Sequence, residues 1–244
     1  MSQDTDQVSI WKSDASGLRE SSDQVVVEEP TEIRLNGESL VVAMRTPGDD
    51  LDLAVGFLLT DGWIQSMADV GTLAFCPGEE HPDLENIVDG RLVRPTGPLP
   101  PERSLWANSS CGLCGKATLE SIRQNSEPIE SSVRVAHDFV TSLPSRMFSR
   151  QVNFGQTGGI HAAGLFDMVG KLLFVREDIG RHNAVDKVIG AALRAETLGD
   201  VSTMVVSGRL GFEIAQKHWS QGSPLWPRCR RPQVWHSSWP GISA

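Results

Sequence analysis

Two periodicities alternate through the second half of this chain, and they constrain its fold more than any other feature. Lys171 to Val175 is an apolar run of strand length, and Asn183 to Ala195 places Ala184, Val185, Val188, Ile189 and Leu193 on one face of a helix. Val201 to Val206 is a second strand and Leu210 to Lys217 a second helix. Strand, helix, strand, helix with short connections predicts an α/β unit with parallel strand pairing. Upstream of it, Thr157-Gly158-Gly159-Ile160-His161-Ala162-Ala163 reads as a Gly turn opening a helix, whose exposed N–H groups suit an anion.

The first half is richer in strands. Gln24 to Val27 and Ser39 to Met44 read as strands, with Leu35-Asn36-Gly37 as a hairpin turn between them. Asp49 or Asp50 can cap a helix over Leu51 to Thr60, and Gly62 fits its C-terminal stop. From Gly71 to Pro101 the chain is loop-rich, with a strand at Arg91 to Val93; a short helix is predicted over Ala117 to Arg123. Four segments result: a disordered polar leader over 1–24, an N-terminal subdomain over 25–128, an α/β subdomain over 129–217 and a tail over 218–244.

Charge excludes one class of partner. The net charge of −9 repels a phosphate backbone, and no run of Lys and Arg offsets it, so no nucleic-acid partner is expected. No apolar stretch nears the roughly 20 residues that span a bilayer, and residues 1–24 lack an apolar signal core. The expected location is cytoplasmic, with no membrane partner. The four cysteines are then read as thiols, ligands or catalytic groups.

Cys111 and Cys114 are the strongest chemical signal. Cys-Gly-Leu-Cys at the start of a helix sets two thiols near backbone N–H groups and a positive dipole end, with Lys116 adjacent. Such surroundings lower a thiol pKa from ~8.5 to roughly 3.5–7.5. A structural zinc site needs four ligands, and Cys76 and Cys229 are too isolated to supply a second pair, so no metal is expected. Spacing does not decide between a redox pair and a nucleophilic sulfur carrier. Two buried, inert cysteines are the bland alternative, which the flanking glycines and Ser109-Ser110 disfavour.

Two further polar turns follow the strands of the α/β unit. Arg176-Glu177-Asp178-Ile179-Gly180-Arg181-His182-Asn183 follows the first and precedes a helix, a place where α/β sheets bind ligands. Ser207-Gly208-Arg209 follows the second. A solvated loop would also be polar, but two such turns at neighbouring strand ends converge. The convergence suits a ligand with several phosphates.

The order of these motifs resembles the FdhD family, the sulfur carriers for formate dehydrogenase. The resemblance rests on Arg45-Thr46-Pro47-Gly48-Asp49-Asp50, Gly56-Phe57-Leu58, Ser110 to Lys116, Thr157 to Ala163, Arg176 to Lys187 and Ser207 to Arg209, and covers residues 25–217. It implies a three-layer α/β/α core like that of cytidine deaminases, with a smaller N-terminal β-rich subdomain, and a homodimer. It implies that Cys111 accepts persulfide sulfur from a cysteine desulfurase, with Cys114 assisting. The sulfur passes to a molybdenum bis(molybdopterin guanine dinucleotide) cofactor, bound as cargo and destined for formate dehydrogenase. Its expected contacts are Gly158, Gly159, His161, Arg176, Asp178, Gly180, Arg181, His182, Asn183, Ser207, Gly208 and Arg209. A non-catalytic cofactor chaperone with structural or redox cysteines is the alternative. A zinc deaminase is not: none of the six His or four Cys is followed two residues on by Glu, and Ser110 rather than Pro precedes Cys111.

After Lys217 the resemblance ends, and the C-terminal strands expected of the family are missing. Four of the seven Trp and four of the fourteen Pro fall in 218–244, without helical or strand period. We read this tail as a shifted reading frame, with a genuine Trp-rich interaction segment as the alternative: codons can be chosen which, read one nucleotide earlier from Lys217, encode a buried strand. The expectation is a chain that folds poorly or binds its cofactor weakly; DNA sequence across codon 217 tests the frame.

Overall fold

The computed structural model describes residues 4–15, 17–77, 85–93, 105–106 and 134–211, together with 214, 215 and 217. Among these, the first half builds a mixed sheet. β3 (Glu29–Leu35) and β4 (Glu38–Arg45) form a hairpin whose turn residues Asn36 and Gly37 both have positive φ, 55° and 83°. That geometry matches the right-handed twist of the flanking strands, as the Asn-Gly pair predicts. The strand before the turn is Glu29–Leu35, where Thr31, Ile33 and Leu35 alternate inward; Gln24 to Val26 are strand as expected but end an earlier one. β6 (Ile87–Leu92) lies parallel to β3, β5 (Val70–Phe75) antiparallel to β6, and β7 (Leu105–Trp106) parallel to β4. The order across the sheet is β5-β6-β3-β4-β7.

The expected disordered leader is instead a hairpin of β1 (Thr5–Asp14) and β2 (Gly17–Val26). Polar side chains bond across it. Gln7 Nε2 donates to Ser22 Oγ at 2.7 Å, and Ser9 Oγ to Glu20 Oε1 at 2.6 Å. Most of its side chains are exposed, so its composition matches that of a disordered segment although its backbone is paired.

Helix α1 (Asp50–Thr60) packs on the five-stranded sheet through Leu53 and Ala54, against Ile33, Val41 and Val88. Neither aspartate caps it by side chain. Asp49 sits in the left-handed region at φ 55°, while Asp50 takes Arg45 Nε at 2.5 Å and the Gly48 N–H at 3.0 Å. Gly62, at φ 81°, ends the helix as expected.

In the second half, α2 (His137–Phe148) and the short α3 (Val152–Thr157) precede β8 (His161–Phe166), β9 (Leu172–Asp178), α4 (Arg181–Arg194) and β10 (Thr203–Val206). Ile214, Ala215 and Lys217 are helical within the last predicted helix. The parallel pairing expected here is not what forms. The order is β10-β8-β9, and both neighbouring pairs are antiparallel. β9 and β10 do run the same way, but β8 lies between them. The Gly158-Gly159 turn therefore closes a helix and opens a strand, the reverse of the sequence expectation. β8 is buried on both faces, so its Ala162-Ala163-Gly164 start carries no alternation that would mark a strand.

The layers follow from that double burial. α2 covers one face of the three-stranded sheet through Leu143 and Met147, against Ala162, Phe166 and Val205. α4 covers the other through Ala184, Val185, Val188 and Ile189, against Ala163, Leu165, Met204 and Val206. α4 then meets α1 at glycines: a Cβ on Gly56 would overlap the Asp186 carbonyl, and one on Gly190 the Asp52 carbonyl. The two helices thus fill the space between the two sheets, in a core that also includes Leu35.

Candidate functional site

Antiparallel β8 still brings the polar turns together. The C-terminal ends of β9 and β10 flank the N-terminal end of β8, with His161 opposite Asp178 and Ala163 opposite Val206. Ser207 continues the ladder. Its N–H donates to Ala162 O at 2.9 Å, and its Oγ accepts the Ala162 N–H at 2.9 Å. Gly208 then sits against the other two turns: a Cβ there would come 3.2 Å from Arg181 Cβ and 3.4 Å from His161 Nδ1. His161, Arg181, Ser207 and Gly208 therefore share one corner, and Arg209 follows on the exposed side.

That corner is electropositive in an acidic chain. Burial, followed by the charges of Arg181, Lys217 and His161, pushes the His182 imidazole down to about 3. His182 is thus neutral at physiological pH, beside cations. Lys217 is held in place by Asp186, at 2.9 Å from each carboxylate oxygen, and by Thr60 Oγ1 at 2.8 Å. Burial drives the Asp186 carboxyl above its ordinary value, and Lys217 opposes that.

Gly158 and Gly159 are exposed, but their N–H groups are not presented as a helix-opening cradle. Gly158 N–H donates to Phe154 O at 2.8 Å, closing α3, and Gly159 N–H to Thr157 Oγ1 at 3.3 Å. Three other expected contacts are spent inside the protein. Arg176 binds Asp52 Oδ2 through Nε at 3.0 Å and Nη2 at 2.8 Å, and reaches Asp49 at 3.3 Å. Asp178 is fully buried; its oxygens accept from Lys187 Nζ at 2.8 Å, Thr46 N at 3.2 Å, Gly180 N at 2.7 Å and Asn183 Nδ2 at 2.9 Å. Burial raises the Asp178 carboxyl, against the pull of Lys187. Asn183 Nδ2 also donates to Met44 O at 2.8 Å. These three residues tie the second half of the chain to α1 and to the end of β4.

Sequence reasoning assigned no role in the site to Thr46, Lys187 or Glu177. The only signal for Lys187 was a charge on the apolar stretch of α4. Glu177 points the other way from its neighbours on β9 and accepts the N–H groups of Asn153 at 2.9 Å and Phe154 at 2.8 Å, fixing the start of α3. Cys111, Cys114 and the helix predicted after them lie outside the described residues, as does the tail from 218. Cys76 is half-buried and free. β7 is parallel to β4, so it ends at Trp106 toward the end of β4 that carries Arg45.

Comparison with known proteins completes this picture. The family model described as FdhD/NarQ family matches residues 26–226, so the resemblance continues past Lys217 rather than ending there. The chain belongs to the FdhD/NarQ family. Among relatives in this family, the sulfur carrier protein FdhD of Streptomyces coelicolor is 44% identical over 212 residues, covering 83% of this chain and 75% of that protein. The sulfur carrier protein FdhD of Mycolicibacterium paratuberculosis is 46% identical over 208 residues, covering 82% of this chain and 76% of that protein. A solved structure from Desulfotalea psychrophila, described as a formate dehydrogenase accessory protein, superposes with a TM-score of 0.72. It covers 94% of this chain and 85% of that one at 21% identity, a likeness of fold. The FdhD/NarQ fold here is mixed α/β, and no helix among the described residues is long and apolar enough to cross a membrane.

Proposed function

We propose that this chain is a sulfur carrier that supports formate dehydrogenase. The observation that carries the reading is 44% identity, over 83% of the chain, to a protein named as a sulfur carrier. The Cys111-Gly112-Leu113-Cys114 loop supplies the chemistry. The Cys111 thiolate attacks the outer sulfur of a cysteine desulfurase persulfide. A new S–S bond forms on Cys111, the old one breaks, and the desulfurase cysteine leaves as its thiolate. Cys114 stands ready as the second thiol.

The acceptor is a molybdenum cofactor carrying guanine dinucleotides, bound as cargo. The corner formed by His161, Arg181, His182, Ser207, Gly208 and Arg209 supports this reading, because its cations suit diphosphates. A neutral His182 can exchange hydrogen bonds with a base without charge repulsion. Asp178 and Asn183 hold the turn that carries Arg181 and His182, and Arg176 ties β9 to α1.

The test is sulfur loading. The purified chain is mixed with a cysteine desulfurase and cysteine, and the peptide containing Cys111 and Cys114 is weighed without reductant. The expected result is a gain of one sulfur atom that disappears in Cys111→Ala. A folded chain that gains no sulfur would leave a cofactor chaperone in its place.

A further inference from the structure

Thr46 belongs to the first half of the chain, yet among the described residues its backbone and side-chain hydrogen bonds all cross to the second. Its N–H donates to Asp178 Oδ2 at 3.2 Å, its carbonyl accepts from Lys187 Nζ at 2.7 Å, and its Oγ1 accepts the Ile179 N–H at 3.1 Å. The residue is 1% exposed. The contacted turn is the one that begins α4 and presents Arg181 and His182. Gly180 is the N-cap of that helix and makes no side-chain cap hydrogen bond. The turn is instead set by Asp178 Oδ1, through the Gly180 N–H and Asn183 Nδ2, and by Thr46 Oγ1 on the intervening Ile179. Asp178 belongs to the turn it holds, so Thr46 is the fixed point outside it.

We infer that Thr46 is a positioning residue for the anion corner: its hydroxyl holds the Ile179-Gly180 backbone so that Arg181 and His182 meet a ligand already oriented. The inference rests on the reading of that corner as a nucleotide-binding site. Removing the hydroxyl leaves the half-buried Ile179 N–H without its acceptor and lets the turn sample other conformations. Ligand binding must then order the turn again, a cost taken from affinity.

Thr46→Val keeps the shape and loses the acceptor; Thr46→Ser keeps the acceptor. Guanosine diphosphate is the probe, titrated calorimetrically well below the melting transition, with amide hydrogen exchange followed at Ile179 and Gly180. In Thr46→Val the dissociation constant is expected to rise about tenfold, the effect of one lost hydrogen bond. Exchange at Ile179 and Gly180 is expected to quicken, while sulfur loading of Cys111 stays at the wild-type level. Thr46→Ser is expected to restore affinity and slow exchange. A lower melting temperature with unchanged affinity and unchanged exchange at the two amides would show a merely structural threonine and overturn the inference. If the wild-type chain does not bind guanosine diphosphate, the nucleotide reading of the corner fails. The exchange comparison of Val with Ser then decides on Thr46 separately, and equal protection in both overturns it.

Discussion

At the scale of residues, His182 makes the site sensitive to acid. Its folded value of about 3 lies below the ordinary 6.5, so between those values the unfolded chain binds more protons than the folded one. Stability from this group is complete above pH ~6.5 and is lost as pH falls toward the folded value, at up to about 1.4 kcal/mol per pH unit. Urea midpoints measured from pH 7 down to pH 5 should fall less steeply in His182→Asn than in the wild type. Parallel curves would mean that His182 is not neutral in the folded chain. Asp178 and Asp186, both raised by burial, contribute the opposite sign upward from the ordinary carboxylate range, so the difference between variants is the informative quantity. The charges around His182 also show what a sequence conceals. Arg181 and Asp178 stand three residues apart in one polar loop at a strand end. One faces the corner, and the other is buried on Lys187 and Thr46, whose place 132 residues upstream leaves no local trace.

At the scale of elements, legibility followed periodicity. α4 was visible because its apolar residues recur with the helical period around Asp186 and Lys187. β8 was not, because a strand buried on both faces and made of Ala, Ala and Gly shows no alternation. Missing it turned two strands that flank it into presumed neighbours and changed the predicted pairing from antiparallel to parallel. The glycines inside α1 and α4 did carry a signal. Gly costs a helix interior about 1 kcal/mol relative to Ala, so a packing reason is expected where it persists. Gly56 and Gly190 provide it by letting the helix backbones touch. Gly190→Ala should therefore destabilise the chain by about 3 kcal/mol despite its better helix propensity, since the new methyl meets the Asp52 carbonyl. Chemical denaturation checks this, and a neutral or stabilising alanine would contradict the close approach.

At the scale of the whole molecule, one core joins elements from both sides of the expected division at 128/129. Leu35, Val55 and Leu58 from the first half pack in one cluster with Ala163, Val185 and Met204 from the second. Asp178 and Lys187, both buried, close the seam against Thr46, and Arg176 with Arg194 closes it against Asp52. Such a seam makes the halves unfold together. Lys187→Met leaves the Asp178 carboxylate buried without its cation, a loss of about 3–5 kcal/mol. Because the pair belongs to both halves, that loss should appear equally in each. Amide exchange in increasing denaturant should give β3 and β4 the same global opening energy as β8 and β9, lowered together in Lys187→Met. Loss confined to β8 and β9 would instead make the halves independent units, and would remove the physical basis for a threonine on β4's end acting on the turn that carries Arg181.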